Sequence, residues 1–546
     1  MSAAILGPTD LHPFMGTDVW QLLLTQARLH QDKPCIIWQP FDREPTTLTY
    51  AGLAQEAAAV AAGLAQRGVH AGDRVLIHLD NCPEFLISWF ACAALGAVAV
   101  TTNTRSAVDE LNYYATDCAA VGAITQPKFA AMVAQAAPDL RFLVSTSHDG
   151  GEPAASVTDA EPFSALRADP NQLPARAPDP LAPCSVQYTS GTTSRPKGVL
   201  WTHANALWGA RGNASNETLR TDDRHLVYLP LFHANAMAYS VLASLWVGAS
   251  FVLTPKWSTS RFWDISLRHR CTWLSLMGLS VRALSTYEQI PEHHYRLFGA
   301  GLADLPIDSR YGVKTVGWWG MTETISHPVV GDAFQPSRPL SMGRPSPCYG
   351  VKVIHPDGSP VAAGETGELL IRGIRGLSLF AEYLNRPEAN AEAFDAEGWF
   401  FTGDLVTLHE DGHLSFDSRA KDMLKVGAEN VSALEIERVI AAVPGVLEVG
   451  VVGRPDIKLD EVPVAFVHTM ETGEVLLRQI EADCERLLAD FKRPRAVYLV
   501  TQLPRSTLSK INKAELRAVA TPDADRESAL QRWIEAARQD PSGDAV

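Results

Sequence analysis

The chain has 546 residues, 46% apolar and 20% charged, the composition of an ordinary globular protein with enough chain for roughly two to four domains around a large core. A formal net charge of −15 with no offsetting basic stripe argues against a nucleic-acid binder, and it requires any nucleotide site to be basic locally. The eight cysteines are scattered and show no CxxC or CxxxC spacing, so neither a zinc site nor a disulfide framework is expected, and a reducing cytoplasm fits best.

The N-terminal stretch 1–14 lacks a basic start, and Pro8 and Asp10 interrupt its apolar residues, which argues against a signal peptide. No apolar run is long enough for a membrane-spanning helix. Helical spacing of apolar residues recurs over 19–31 and 50–68, followed by a buried strand over 73–79. Helix over 84–95, strand over 97–101, helix over 108–116 and strand over 120–125 continue an alternation that predicts an α/β fold with layered, mainly parallel sheets. A Pro-, Ala-, Asp- and Gly-rich stretch over 148–183 reads as a surface excursion without a domain break. Further strands are expected over 184–188, 225–229, 250–253, 272–276 and 313–318. From 343 to 416, short strands with Gly and Pro turns, such as 351–355 and 367–372, predict an antiparallel β region. A turn-prone stretch over 418–421 then opens a smaller α+β unit, with helices over 433–442 and 475–488 and strands over 447–452, 464–468 and 496–500. The expected division is a large domain over 1–418 and a small mobile one over 419–546.

The chemistry is carried by a series of motifs. Residues 188–199 read YTSGTTSRPKGV, in which Gly191 lets backbone approach an anion, Thr189, Ser190, Thr192 and Thr193 offer hydroxyl and amide donors, and Arg195 and Lys197 add positive charge. The common NTPase loop needs Gly directly before its Lys and Ser or Thr directly after it, whereas Pro196 and Gly198 stand here. This string resembles the signature loop of the adenylate-forming superfamily of acyl-CoA synthetases, carrier-protein adenylation domains and luciferases, with Ser194 where Gly is usual. The resemblance extends from about 48 to 516 through further motifs in the family's order, with some likeness to its carnitine–CoA ligase branch.

The resemblance implies the following roles. His233, in LPLFHAN, gates the acyl site. Gly299, Ala300 and Gly301 lie along adenine, although Leu302 stands where Pro is usual. In WWGMTET, Trp319 takes the place of a Tyr that stacks on the purine, Gly320 and Met321 follow it, Thr322 contacts the α-phosphate and Glu323 holds Mg²⁺. Asp404, in WFFTGD, binds the ribose hydroxyls. Arg419 reaches ribose and phosphate, and Lys421 is the hinge about which the small domain turns. Gly427, Ala428 and Glu429 line the CoA tunnel, with Ala428 replacing a common Gly. Lys510 bridges the carboxylate and the α-phosphate during adenylation, with Ser509 where Gly normally precedes it.

The implied enzyme is a Mg²⁺-dependent acid–thiol ligase that joins a small carboxylic acid to AMP, releasing pyrophosphate, and then passes the acyl group to CoA. The alternatives are transfer to a carrier-protein thiol, or a nucleotide-binding homologue without catalysis; a homodimer is compatible with the chain. The acyl pocket is expected from 201–208, 233–239, 275–280, 299–301 and 319–326. Those stretches are Trp-rich, which suits a betaine-type acid by cation–π contact, while fatty, aromatic and alicyclic acids also fit.

Overall fold

The computed structural model describes residues 11–154, 160–189, 196–419, 423–426, 429–456, 459–470, 474–488, 490–505 and 511–520. Within them two large sheets carry the N-terminal part. In the first, six parallel strands run in the order Lys314–Trp319, Leu297–Ala300, Trp273–Ser275, Arg224–Val227, Ser250–Leu253 and Pro34–Trp38, with antiparallel strands on both edges. In the second, Pro183–Thr189, Val98–Thr101, Arg74–His78, Ala120–Thr125, Leu143–Ser145 and Glu161–Pro162 are parallel, and Lys197–Thr202 and Glu382–Tyr383 add antiparallel strands beside Pro183–Thr189.

One apolar core joins both sheets through the helices Val19–His30, Tyr50–Gln66, Pro83–Leu95 and His203–Asn216. Local sequence starts and stops these helices. Asp18 and Thr49 accept hydrogen bonds from the backbone N–H groups of Gln21 and Gly52, and Pro83 opens the third helix at a position where its missing N–H costs nothing. Gly96, at φ +80°, ends that helix in the left-handed conformation. Trp89, Phe85 and Phe90 are fully buried on it, each contributing roughly 1.5–3 kcal/mol of apolar burial.

The stretch over 148–183 differs from its reading as a surface excursion. Glu161–Pro162 is an edge strand of the second sheet, and Phe163 and Leu166 are buried in the main core. A Cβ at Gly63 would lie 1.6 Å from the Leu166 carbonyl oxygen, so the helix Tyr50–Gln66 accepts this segment only because residue 63 is glycine. Pro/Ala composition signalled turns, but two large apolar residues decide where the segment packs.

The antiparallel β region is a four-stranded sheet in the order Gly350–Ile354, Thr366–Arg372, Trp399–Leu408 and Leu414–Arg419. The last strand runs through Arg419, so Ser418, expected to open a turn-prone stretch, is still in a strand. The C-terminal unit has its own apolar clusters, built on the antiparallel ribbon Glu448–Asp456 and Asp460–His468, the parallel strand Ala496–Val500 and the helices Ala433–Ala441, Glu474–Leu487 and Lys513–Ala520. It touches the large unit where Arg282 donates to Glu448 at 3.0 Å, a carboxylate that Arg505 also clasps. Burial alone would raise the Glu448 carboxyl, but hydrogen bonds from His468 and Arg505, with the charges of Arg282 and Arg505, take it down to about 2.

Candidate active site

The strands Pro183–Thr189 and Lys197–Thr202 pair with Thr189 opposite Lys197, so they form the two stems of the glycine- and hydroxyl-rich loop. Ser190, Gly191, Thr192 and Thr193, together with Arg195, lie outside the described residues. Lys197 places its ammonium 4.6 Å above the ring of Tyr383, and the Tyr383 hydroxyl donates to Glu323 Oε1 at 2.9 Å. Both Tyr383 and Glu323 are buried. Burial, with the neighbouring Glu323 charge, pushes the Tyr383 phenol far above its ordinary value, so the phenol keeps its proton and stays a donor.

The segment from Trp319 to Ser326 is fixed from several directions. Trp201 Nε1–H donates to the Thr322 carbonyl at 2.9 Å, the Phe380 N–H donates to the Glu323 carbonyl at 2.9 Å, and the Tyr349 hydroxyl donates to the Thr324 carbonyl at 2.7 Å. Thr324 Oγ1 closes the turn by accepting from the Met321 N–H at 3.0 Å. These bonds hold Ile325 at φ +61°, a conformation that costs a β-branched residue on the order of 1–3 kcal/mol. Gly320 is required on the same segment, because a Cβ there would lie 2.5 Å from the Tyr239 hydroxyl and 2.6 Å from the Ser326 carbonyl oxygen.

Trp319 ends its strand buried, with Nε1–H donating to Asp404 Oδ2 at 2.8 Å. Asp404 is itself positioned by the β ladder, where it pairs with Arg419, and by Thr402, whose hydroxyl accepts the Asp404 N–H. The backbone of Arg419 therefore stands directly across from Asp404. Gly299 and Ala300 end the neighbouring strand, and Gly301 follows in open space, where a Cβ would meet no atom within 4 Å. His233 precedes a π-helical stretch, Asn235–Leu242, a rare geometry that concentrates at functional sites. Phe232 packs edge-on against its ring, and Asn235 accepts from the Ser275 hydroxyl at 2.8 Å.

The structure thus links Lys197 to Glu323, and Trp319 to Asp404, with Gly320, Met321 and Thr322 between the two pairs. Lys421, Gly427, Ala428 and Lys510 lie outside the described residues, and Glu429 is placed by its backbone in the strand Glu429–Ser432. Tyr383 is the contributor that sequence reasoning missed; it carries no motif of its own and acts through partners on separate segments. Trp201, expected in the lining of the acyl pocket, donates to the Thr322 carbonyl. No group of three or more His, Cys, Asp or Glu side chains that could hold a metal occurs among the described residues. Glu323 fits a Mg²⁺ ion that takes one or two protein carboxylate oxygens and completes its shell with phosphate and water, since it presents a buried carboxylate joined through Tyr383 to Lys197.

The AMP-binding enzyme model matches residues 23–384, and the AMP-binding enzyme C-terminal domain model matches residues 435–510. The crotonobetaine/carnitine–CoA ligase of Salmonella enteritidis PT4 is 33% identical over 516 residues, covering 92% of this chain and 99% of the relative. Among solved structures, an anthranilate CoA ligase in complex with anthranoyl-AMP superposes with a TM-score of 0.83 at 27% identity, covering 96% of this chain and 100% of that one. The O-succinylbenzoate coenzyme A synthetase of Bacillus subtilis, in complex with ATP and magnesium ion, superposes with a TM-score of 0.78 at 27% identity, covering 91% and 98%. The chain belongs to the AMP-binding enzyme family.

Proposed function

We propose that the enzyme is an AMP-forming acid–thiol ligase whose two half-reactions share the edge of the large domain described above. The observation that carries this reading is the connection Lys197–Tyr383–Glu323, which joins the stem of the phosphate loop to the carboxylate assigned to Mg²⁺. In it, Thr189, Ser190, Gly191, Thr192, Thr193 and Lys197 cradle the β- and γ-phosphates, and Thr322 receives the α-phosphate. Glu323 holds Mg²⁺, which when bound supplies charge neutralisation for the departing pyrophosphate. Trp319 stacks on adenine against Gly299, Ala300 and Gly301, and Asp404 and Arg419 take the ribose. His233 stands at the mouth of the acyl pocket.

A carboxylate is a poor electrophile because its negative charge repels nucleophiles and its oxide is a poor leaving group. Joining it to AMP removes both obstacles, and the thiolate of CoA can then displace AMP. For the second step we place the division at 1–418 and 419–546, with Lys421 as pivot and Gly427, Ala428 and Glu429 beside the CoA arm. The separate apolar clusters of the C-terminal unit support this division. The eight unpaired cysteines, seven of them buried, suit a reducing compartment such as the cytoplasm.

Pyrophosphate release from ATP, measured across a panel of carboxylic acids with and without CoA, tests the reading. CoA-dependent turnover with one class of acid is expected; turnover that no acid elicits returns the chain to carrier-protein transfer or binding alone. The bond between Trp319 and Asp404 gives a second test. Trp319→Phe keeps an aromatic face and removes the Nε1–H donor to a charged acceptor, so KM for ATP is expected to rise about tenfold. An unchanged KM for ATP would mean that the indole does not set the ribose carboxylate.

A further inference from the structure

The phosphate loop runs between two stems, one carrying Tyr188 and the other entered through Pro196, and the helix Val108–Asp117 reaches both. Tyr113 and Asp117 lie one turn apart on that helix, so their side chains share a face. The Tyr113 hydroxyl donates to the Pro196 carbonyl at 2.8 Å, and Asp117 Oδ2 accepts from the Tyr188 hydroxyl at 2.9 Å. Tyr114 stacks on the Tyr188 ring with centroids 4.4 Å apart. The same ring reaches the opposite stem, where a Cβ on Gly198 would lie 3.2 Å from it. A cleft of about 650 Å³ lies between Tyr113, Asp117, Pro196 and Arg386, so hydrogen bonds across it, rather than close packing, tie the Pro196 stem to the helix.

Arg386 closes the arrangement. Its Nη2 donates to the Tyr113 oxygen at 2.5 Å and stands 3.3 Å from Asp117 Oδ1, while Asn385 Nδ2 donates to the Asp117 carbonyl at 2.6 Å. A guanidinium only donates, so the Tyr113 oxygen accepts from it and the hydroxyl proton is directed to the Pro196 carbonyl. The Asp117 side chain is 7% exposed, and the arginine supplies the partner that a buried carboxylate needs. Burial pushes the Tyr188 phenol far above its ordinary value, so it too stays a donor. Arg386 stands three residues after Tyr383, whose hydroxyl bonds Glu323. The stretch between them is pinned: the Leu384 N–H donates to the Gly198 carbonyl at 2.8 Å, and the Asn390 side chain bonds both the N–H and the carbonyl of Tyr383. One short segment thus grips the loop stems through Arg386 and the carboxylate assigned to Mg²⁺ through Tyr383.

We propose that Tyr113, Asp117 and Arg386 are positioning residues for the triphosphate: they hold the two stems of the phosphate loop at a fixed spacing and in register with Glu323, and so set the affinity of the enzyme for the β- and γ-phosphates and for pyrophosphate. The proposal rests on the phosphate-loop reading given above and names the residues outside the motif that organise the loop. A loop rich in glycine and hydroxyl side chains loses conformational freedom when it wraps phosphate, and stems that are already fixed lower the ordering cost that binding must offset. The three residues act through the loop and not by contact with the nucleotide. AMP, in the same reading, is held by Trp319, Asp404 and residues 299–301, so its binding does not depend on them.

Calorimetric titration of the full chain, with no carboxylic acid present, compares ATP with Mg²⁺, pyrophosphate with Mg²⁺, and AMP. Tyr113→Phe removes the hydroxyl that reaches Pro196, and it is expected to raise Kd for ATP and for pyrophosphate about tenfold while Kd for AMP stays within about twofold. Arg386→Lys keeps the charge beside Asp117 but loses the planar fork that joins Asp117 to Tyr113, and a loss of about tenfold confined to the same two probes is expected. The double variant should weaken ATP no more than the worse single one, because both substitutions break one chain of bonds. Lys197→Ala, which removes the cation of the loop itself, is the reference. Equal weakening of ATP and AMP would show a general structural role, and it overturns the proposal. Weakening of ATP by Lys197→Ala but by neither of the other substitutions overturns the proposal and leaves the phosphate-loop reading standing. ATP and pyrophosphate binding unchanged even in Lys197→Ala overturns that reading, and the proposal with it.

Discussion

Glu323→Gln is expected to slow acyl-adenylate formation by about a hundredfold to a thousandfold, the scale of losing one charged element of transition-state stabilisation. The carboxylate is buried and accepts from Tyr383 through Oε1, and its backbone carbonyl is fixed by Phe380, so the substitution changes charge while the backbone attachment stays. Glutamine retains a carbonyl oxygen for the Tyr383 hydroxyl but presents no anion to a divalent cation. The Mg²⁺ dependence should therefore move to higher concentration, and part of the lost rate should return as Mg²⁺ is raised. Tyr383→Phe serves as the comparison, since it removes one neutral donor to a charged acceptor and should cost about tenfold with a smaller displacement of the Mg²⁺ curve. A Glu323→Gln enzyme with the parent Mg²⁺ curve would show that another group holds the ion.

Strands and helices that carry strong periodicity are legible in the sequence. The helix expected over 19–31 is Val19–His30, and the strand expected over 120–125 is Ala120–Thr125. Short strands without alternation are not legible. Pro34–Trp38 and Thr46–Thr49 escape sequence reading because a five-residue apolar run and a row of threonines fit several conformations until the parallel partner Ser250–Leu253 chooses one. Leu297–Ala300 reads only as a nucleotide motif, since two of the four residues are Gly and Ala, and its strand identity comes from neighbours on both sides.

The site divides in the same way. Residues in contiguous strings, such as 318–324 and 398–404, announce themselves, and the Trp319 to Asp404 bond joins two of those strings. Tyr383 does not, because its role depends on lying over Lys197 and beneath Glu323, which only the pairing of Glu382–Tyr383 with Val199 and Leu200 brings about.

Lys510→Ala is expected to slow adenylation by about a hundredfold or more, near 3 kcal/mol, with a smaller effect on KM for ATP. The residue lies outside the described segments, so its assignment comes from the motif 503–513 and from the family membership of the chain. Its flanks are well anchored. Arg505 and Ile511 pair antiparallel, Arg505 clasps Glu448, and Glu448 in turn receives Arg282 of the large unit. A cation delivered from this segment acts on charge that develops between the carboxylate and the α-phosphate, which exists only while the adenylate is forming. Thioester formation from a synthetic acyl-adenylate and CoA breaks the acyl C–O bond and leaves the phosphorus tetrahedral, so the charge of in-line transfer at the α-phosphate does not form, and its rate in Lys510→Ala should stay within a few-fold of the parent, a small fraction of the adenylation loss. Measuring the two half-reactions separately therefore decides the role: loss confined to pyrophosphate release identifies the lysine as the bridge, and equal loss in both would mean that the substitution disturbs how the small domain docks.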